Sequence, residues 1–273
     1  MPTVRTAAGS GRSHLPADER IPSLNERADT RRLAGLDVGE MRALLLHGEL
    51  VVEGRLVDAS NATLLCTVVG ERARARCVYK PVSGERPLWD FPDGTLAGRE
   101  YAAYLLSEAT GWRIAPPTVL RDGPFGFGMV QWWVDVDERV DLGQLIRADL
   151  PDLRRMALFD AVVNNSDRKG GHLLPVVDGH VYGCDHGLTF HSDDKLRTVL
   201  WQWRGVRLSA AEVTVLEQLE AALGTAGTLR AELADQLTDH ELERTAWRVR
   251  RLLRTGSFPQ PSDDWPAVPW PPF

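Results

Sequence analysis

Asn164-Asn165-Ser166-Asp167-Arg168-Lys169-Gly170-Gly171-His172, followed by Cys184-Asp185-His186-Gly187, decides how this chain is read. It sets two acidic residues 18 positions apart, each in a polar, turn-rich loop directly after an apolar run. Asp167 follows the helix-like stretch Leu153 to Val163, and Asp185 ends the strand-like Val181-Tyr182-Gly183-Cys184. Between them, Leu173 to Tyr182 reads as a short hairpin, with Asp178-Gly179 supplying its tight turn.

Such acidic loops occur by chance, so the signal needs a further part, and it lies upstream. Ala75 to Pro81 alternates like a strand and carries Lys80; Glu100 follows 20 residues later on a helical stretch, Leu96 to Thr110. The chain has 29 arginines and only three lysines, so a lysine on a strand is notable here. A compact ammonium suits a phosphate and is positioned by a carboxylate. Strand lysine, helix glutamate, loop aspartate and strand-end aspartate stand in the order used by protein-kinase-like folds, where a base and a metal ligand are aimed at one phosphate.

With these segments, Val78 to Lys80, Gly98-Arg99-Glu100, Asn165-Ser166-Asp167-Arg168 and Cys184 to Phe190, the chain resembles the phosphatidylinositol 3-/4-kinase-like and HipA-like atypical kinases over roughly residues 36 to 255. The resemblance implies an α+β fold: a bilobal protein-kinase-like architecture with a five-stranded antiparallel N-lobe carrying one helix, and a mainly helical C-lobe. It also implies ATP and Mg²⁺ as cofactors and leaves the phosphate acceptor open. Asp167 then orients the acceptor hydroxyl and takes its proton, Asp185 binds Mg²⁺, and Lys80 contacts the nucleotide phosphates with Glu100 holding it. Kinase-like loops place an asparagine five positions after the catalytic aspartate to hold metal; here that slot is His172. Neutral imidazole suits Mn²⁺ or Zn²⁺ better than Mg²⁺. Either His172 touches phosphate, or Asn164 or Asn165 replaces the missing ligand, or activity is weak.

Composition bounds the alternatives. A hydrophobic share of 43% and a charged share of 26% are ordinary for a globular protein. A formal net charge of −6 gives no support for a nucleic-acid surface. No apolar run approaches the roughly 18 to 20 residues that span a bilayer, and Met1 to Arg32 has no apolar core of a secretory signal. Three cysteines (Cys66, Cys77, Cys184) without metal-like spacing imply reduced thiols and a cytoplasmic location.

Organisation follows from the breaks in pattern. Residues 1–33 read as a flexible arm, 34–134 as the N-lobe, 135–257 as the C-lobe and 258–273 as a Pro/Trp-rich tail that either docks a partner or folds back on the C-lobe. After the hairpin, helices are expected from Ser209, Thr228 and Asp239, with Ser209 and Asp239 as N-caps. The Asp58 to Thr63 stretch lies where a phosphate-covering loop belongs but has no glycine; its backbone N–H groups and the Ser60 or Thr63 hydroxyl are candidate phosphate contacts, against an ordinary hairpin turn. Met129 to Val134 runs as the last N-lobe strand, with Gln131 and Trp132 as candidate nucleotide contacts. The adjacent Arg168, Lys169 and two glycines read as a cationic loop able to meet an anionic acceptor, against a solvated turn. Two further readings stay open: a nucleotide-binding pseudokinase acting as an interaction module, and transfer of AMP instead of phosphate.

Overall fold

The computed structural model describes residues 4–5, 36–56 and 61–273. The described chain divides into two compact units: residues 1–86 with 119–133, and residues 87–118 with 134–273. The expected arm, 1–33, lies outside the described residues apart from Val4–Arg5, and Ser60 lies outside them too.

In the first unit, α1 (Val38–His47) begins at a reciprocal cap: Glu40 N donates to the Asp37 carboxylate at 2.8 Å and Asp37 N to the Glu40 carboxylate at 2.9 Å. The strands are β1 (Val4–Arg5), β2 (Glu49–Leu56), β3 (Leu64–Val69), β4 (Arg74–Pro81), β5 (Thr118–Gly123) and β6 (Gly126–Trp132), in sheet order β1-β2-β3-β4-β6-β5. The two-residue β1 adds an edge strand to the five expected. Alternation along β4 sends Ala75, Cys77 and Tyr79 into an apolar core with Leu45, Leu50, Cys66, Val68, Val119 and Val130. Lys80 pairs with Met129 and Val78 with Gln131, so these four share the opposite face.

The second unit holds α2 (Leu96–Thr110), α3 (Leu142–Leu145), α4 (Pro151–Val163), α5 (Ala210–Ala222), α6 (Thr228–Leu233) and α7 (Asp239–Thr255), with a hairpin of β7 (Leu173–Pro175) and β8 (Val181–Gly183). The hairpin turns at Gly179 with φ +89°, a conformation that favours glycine. Its core gathers Leu106, Met156, Phe159, Val163, Leu216 and Val249 among others. Ser209 caps α5 as expected. The cap of α7 is Thr238, not Asp239: the Thr238 hydroxyl accepts from Glu241 N and Glu241 returns a bond to Thr238 N. Among the described residues no helix is long and apolar enough to cross a membrane.

One assignment differs from expectation, and one open alternative is decided. Helix α2, placed by sequence order in a contiguous 34–134 lobe, groups instead with the helical unit. Gly98 faces Gln236, so closely that a Cβ would lie 2.7 Å from the Gln236 side-chain oxygen. Buried Arg99 bonds to Thr189 O at 2.8 Å and to Glu241, while Glu100 accepts from His186 N at 2.9 Å. The tail, read as a docking peptide or a packed segment, engages its own unit. Phe258 is buried, Trp265 lies 4.6 Å from the Lys195 ammonium, and Ala267 O accepts from Thr198 N and the Trp201 indole.

Candidate functional site

Helix α4 ends because Asn164 adopts the left-handed conformation, φ 54°, and its N–H closes onto Asp160 O. The buried Asn164 carboxamide is then used at both ends: it donates to His191 O and Asp193 O and accepts from Lys195 N. Asn165 is likewise consumed. Its Nδ2 donates to Asp160 at 3.0 Å, and its Oδ1 accepts the backbone N–H of Asp167 at 3.0 Å. Both amide oxygens, expected as possible metal ligands, already accept one backbone N–H each inside the fold. Asn165 holds Asp167.

Asp167 emerges from this frame with its side chain 22% exposed and an ion pair to Lys169 at 3.2 Å. Burial pushes its carboxyl above the ordinary range; Lys169 opposes this and the nearby Asp185 charge adds to it. Asp185 contrasts with it. Its side chain is 52% exposed, and its backbone sits at φ 62°, a region Asp tolerates better than most residues. The His172 Nε2 lies 3.4 Å from the Asp185 carboxylate, and His172 O accepts Cys184 N at 3.1 Å. Glu100 meets the same segment one residue on, through His186 N. The structure thus brings Asp167, His172, Asp185 and Glu100 together within the second unit.

Sequence reasoning missed the support beneath them. Arg168, read as part of a cationic acceptor loop, is fully buried. Its guanidinium forks onto the equally buried Asp160 at 2.9 and 3.0 Å and donates to Cys184 O at 2.9 Å. It also lies 2.6 Å from His186 Nε2. Guanidinium only donates, so His186 Nε2 accepts and the imidazole is the neutral Nδ1–H tautomer. Arg168 therefore ties the Asp167 loop to the Asp185 strand end, and Gly183 leaves room for it, since a Cβ there would sit 3.0 Å from the guanidinium. The available signal was Asp160, a lone acid inside the apolar face of α4.

The remaining candidates belong to the first unit. Lys80 is half-buried and shares a face with buried Gln131. Trp132, adjacent on the strand, points the other way and packs against that unit's apolar core, so it does not join Gln131 as a face contact.

Among the described residues no cluster of three or more His, Cys, Asp or Glu side chains offers a complete metal cage. One exposed carboxylate with an imidazole beside it fits a divalent cation that takes its other ligands from water and phosphate oxygens.

No protein-family model matches the chain. Among solved structures, the Golgi casein kinase with Mn/ADP bound is similar at a TM-score of 0.52 and 15% identity, over 80% of this chain and 75% of that one. The Helicobacter pylori proinflammatory kinase CtkA matches at a TM-score of 0.47 and 10% identity, over 78% of this chain and 94% of that one. The first likeness gives the fold: an α+β kinase-like fold with an antiparallel sheet and a helical part. At 45% identity over 267 residues, 85% of this chain and 95% of the relative, the chain belongs to the family of Protein Rv2133c of Mycobacterium tuberculosis (strain ATCC 25618 / H37Rv).

Proposed function

We propose that this chain is an ATP- and divalent-metal-dependent phosphotransferase that moves the γ-phosphate to a hydroxyl acceptor (a lipid head group, a small molecule or a protein Ser/Thr), akin to phosphatidylinositol 3-/4-kinase-like and HipA-like kinases. The observation that carries the reading is the pair of loop carboxylates held in opposite environments: Asp167 mostly covered and paired with Lys169, Asp185 half exposed beside His172. Phosphoryl transfer asks a protein for positioning and charge compensation. Asp167, fixed by Asn165 and Lys169, orients the acceptor hydroxyl and takes its proton. Asp185 and His172 hold the metal, Mg²⁺ or Mn²⁺, which supplies charge neutralisation at the phosphates. Lys80 contacts phosphate and Gln131 lines the nucleotide, supported by their common face on the sheet. A cytoplasmic setting agrees with three free cysteines.

The test measures ATP affinity with and without Mg²⁺ or Mn²⁺, then follows α- and γ-labelled ATP into products. Metal-dependent binding with γ-label transfer that disappears in Asp167→Asn supports the reading. Transfer of α-label makes the chain an AMP transferase, and binding without any transfer makes it a nucleotide-binding module; either result overturns phosphotransfer.

A further inference from the structure

The turn that follows Asp167 is held from one side by the tail. Lys169-Gly170-Gly171-His172 carries both the Asp167 partner Lys169 and the Asp185 partner His172. Within the turn the support is thin: His172 N donates to Lys169 O at 3.2 Å, Lys169 N to His172 Nδ1 at 3.5 Å, and Leu173 N closes onto Gly170 O. The N–H of Gly170 instead donates to Pro272 O at 2.8 Å. The Phe273 ring lies against Gly170, where an added Cβ would overlap it, with ring carbon Cζ only 2.9 Å away. Gly170 is not in the left-handed region, so the ring, and not backbone geometry, is what demands glycine there. Gly171, beside it, meets nothing within 4 Å.

The tail reaches this point from fixed anchors. Trp265 and Trp89 flank the Lys195 ammonium at 4.6 and 4.8 Å, and Lys195 pairs with Asp90 at 2.9 Å. Ala267 O takes bonds from Thr198 N at 3.1 Å and the Trp201 indole at 2.7 Å. Thr198 in turn bridges to Arg168, the buried centre of the catalytic loop.

We infer that Pro272 and Phe273 are positioning residues that clamp the 169–172 turn, and so set Lys169 against Asp167 and His172 against Asp185. The inference rests on the phosphotransfer reading of that loop. It assigns the tail a role in the site's geometry, acting through the turn and touching no reacting atom.

The experiment is a double-mutant cycle on the full chain with Gly170→Ala and Phe273→Ala, read by turnover and by amide hydrogen exchange at 169–172. Gly170→Ala drives a methyl into the ring and lowers kcat about 100-fold, the scale of an ångström-sized displacement of reacting groups. Phe273→Ala lowers kcat about tenfold, leaves the KM for ATP unchanged and speeds exchange at 169–172. The double variant regains most of what Gly170→Ala loses, because the methyl then occupies the space of the ring. Phe273 is 55% exposed, so its alanine variant keeps the fold and carries the test even if Gly170→Ala does not. A double variant no better than Gly170→Ala, or exchange at 169–172 unmoved by Phe273→Ala, overturns the clamp. A wild type inactive with every acceptor, but with exchange still coupled to Phe273, supports the clamp and overturns the phosphotransfer reading.

Discussion

Asp167 and Asp185 are the same side chain held in different surroundings. Asp167 is mostly covered, with its backbone N–H pinned by Asn165 and its carboxylate paired with Lys169. Asp185 is half exposed, left-handed in backbone, and flanked by an imidazole. A desolvated, raised carboxylate suits a proton acceptor, and an open one suits a cation that keeps most of its water. In the proposed reading burial divides the labour, since the chemistry of the two groups is identical.

The largest effect should come from the covered member. Asp167→Asn keeps nucleotide binding and lowers transfer by about 10²- to 10⁴-fold, the range of a lost general base; steady-state kinetics beside ATP titrations checks this, and near-normal turnover breaks the comparison. Asp185→Ala leaves metal-free ATP binding alone and removes the metal-dependent part, about 1–3 kcal/mol for a lost charged contact. Calorimetry with and without Mg²⁺ reads it, and an unchanged metal dependence strips Asp185 of its role. His172→Asn replaces an imidazole by an oxygen ligand, so any preference for Mn²⁺ over Mg²⁺ narrows, by about tenfold for a ligand-sphere change. Mn²⁺ binding followed by electron paramagnetic resonance, with Mg²⁺ competition, shows the shift independently of turnover.

The smallest effect is in stability against pH, and it has opposite signs at two carboxylates. Asp167 has a folded pKa above its unfolded value, so its cost is absent below about pH 3.9 and grows as pH rises through the window between the two. Asp167→Asn should therefore raise the Tm at pH 7, with the gain vanishing in acid. Burial also pushes the Glu212 carboxyl up, but the Arg154 fork and the Ser209 cap override it, leaving it below its usual range. That stability is present above the unfolded pKa and is lost as pH falls through the lowered one. Glu212→Gln should lower the Tm at pH 7 and match wild type in strong acid. Thermal melts from pH 3 to 8 compare the two, and parallel pH profiles would falsify the contrast.

Local grammar was legible in the sequence; long-range partnership was not. Leu96–Thr110 shows its span through Ala- and Leu-rich composition, and Gly111 closes it in the left-handed conformation at φ 67°. Nothing near it in sequence says that Arg99 will meet Glu241, 142 residues on, or that Glu100 will meet His186, 86 residues on. The loop shows the same limit. Two neighbouring cations look alike as letters, yet Arg168 is fully buried on Asp160 while Lys169 stays partly exposed beside Asp167. The asparagines read as spare metal ligands because their hydrogen bonds, to backbone groups and to buried Asp160, follow no pattern in the sequence. Alternation did predict the faces of β4, and the same rule, applied to β6, separates Gln131 from Trp132.

The attachment of α2 to the helical unit has a consequence for how the protein is made. The chain crosses between units after residues 86, 118 and 133, so neither unit is an unbroken stretch. As synthesis proceeds, α2 appears early but its two buried charges wait. Glu100 gains its backbone partner only once His186 has been made, and Arg99 meets its counter-charge only with Glu241. At a pace of about 5–20 residues per second, that leaves the helix several seconds without its partners. The nascent helical unit closes last, and a ribosome halted before α7 holds a helix whose buried ion pair cannot yet exist.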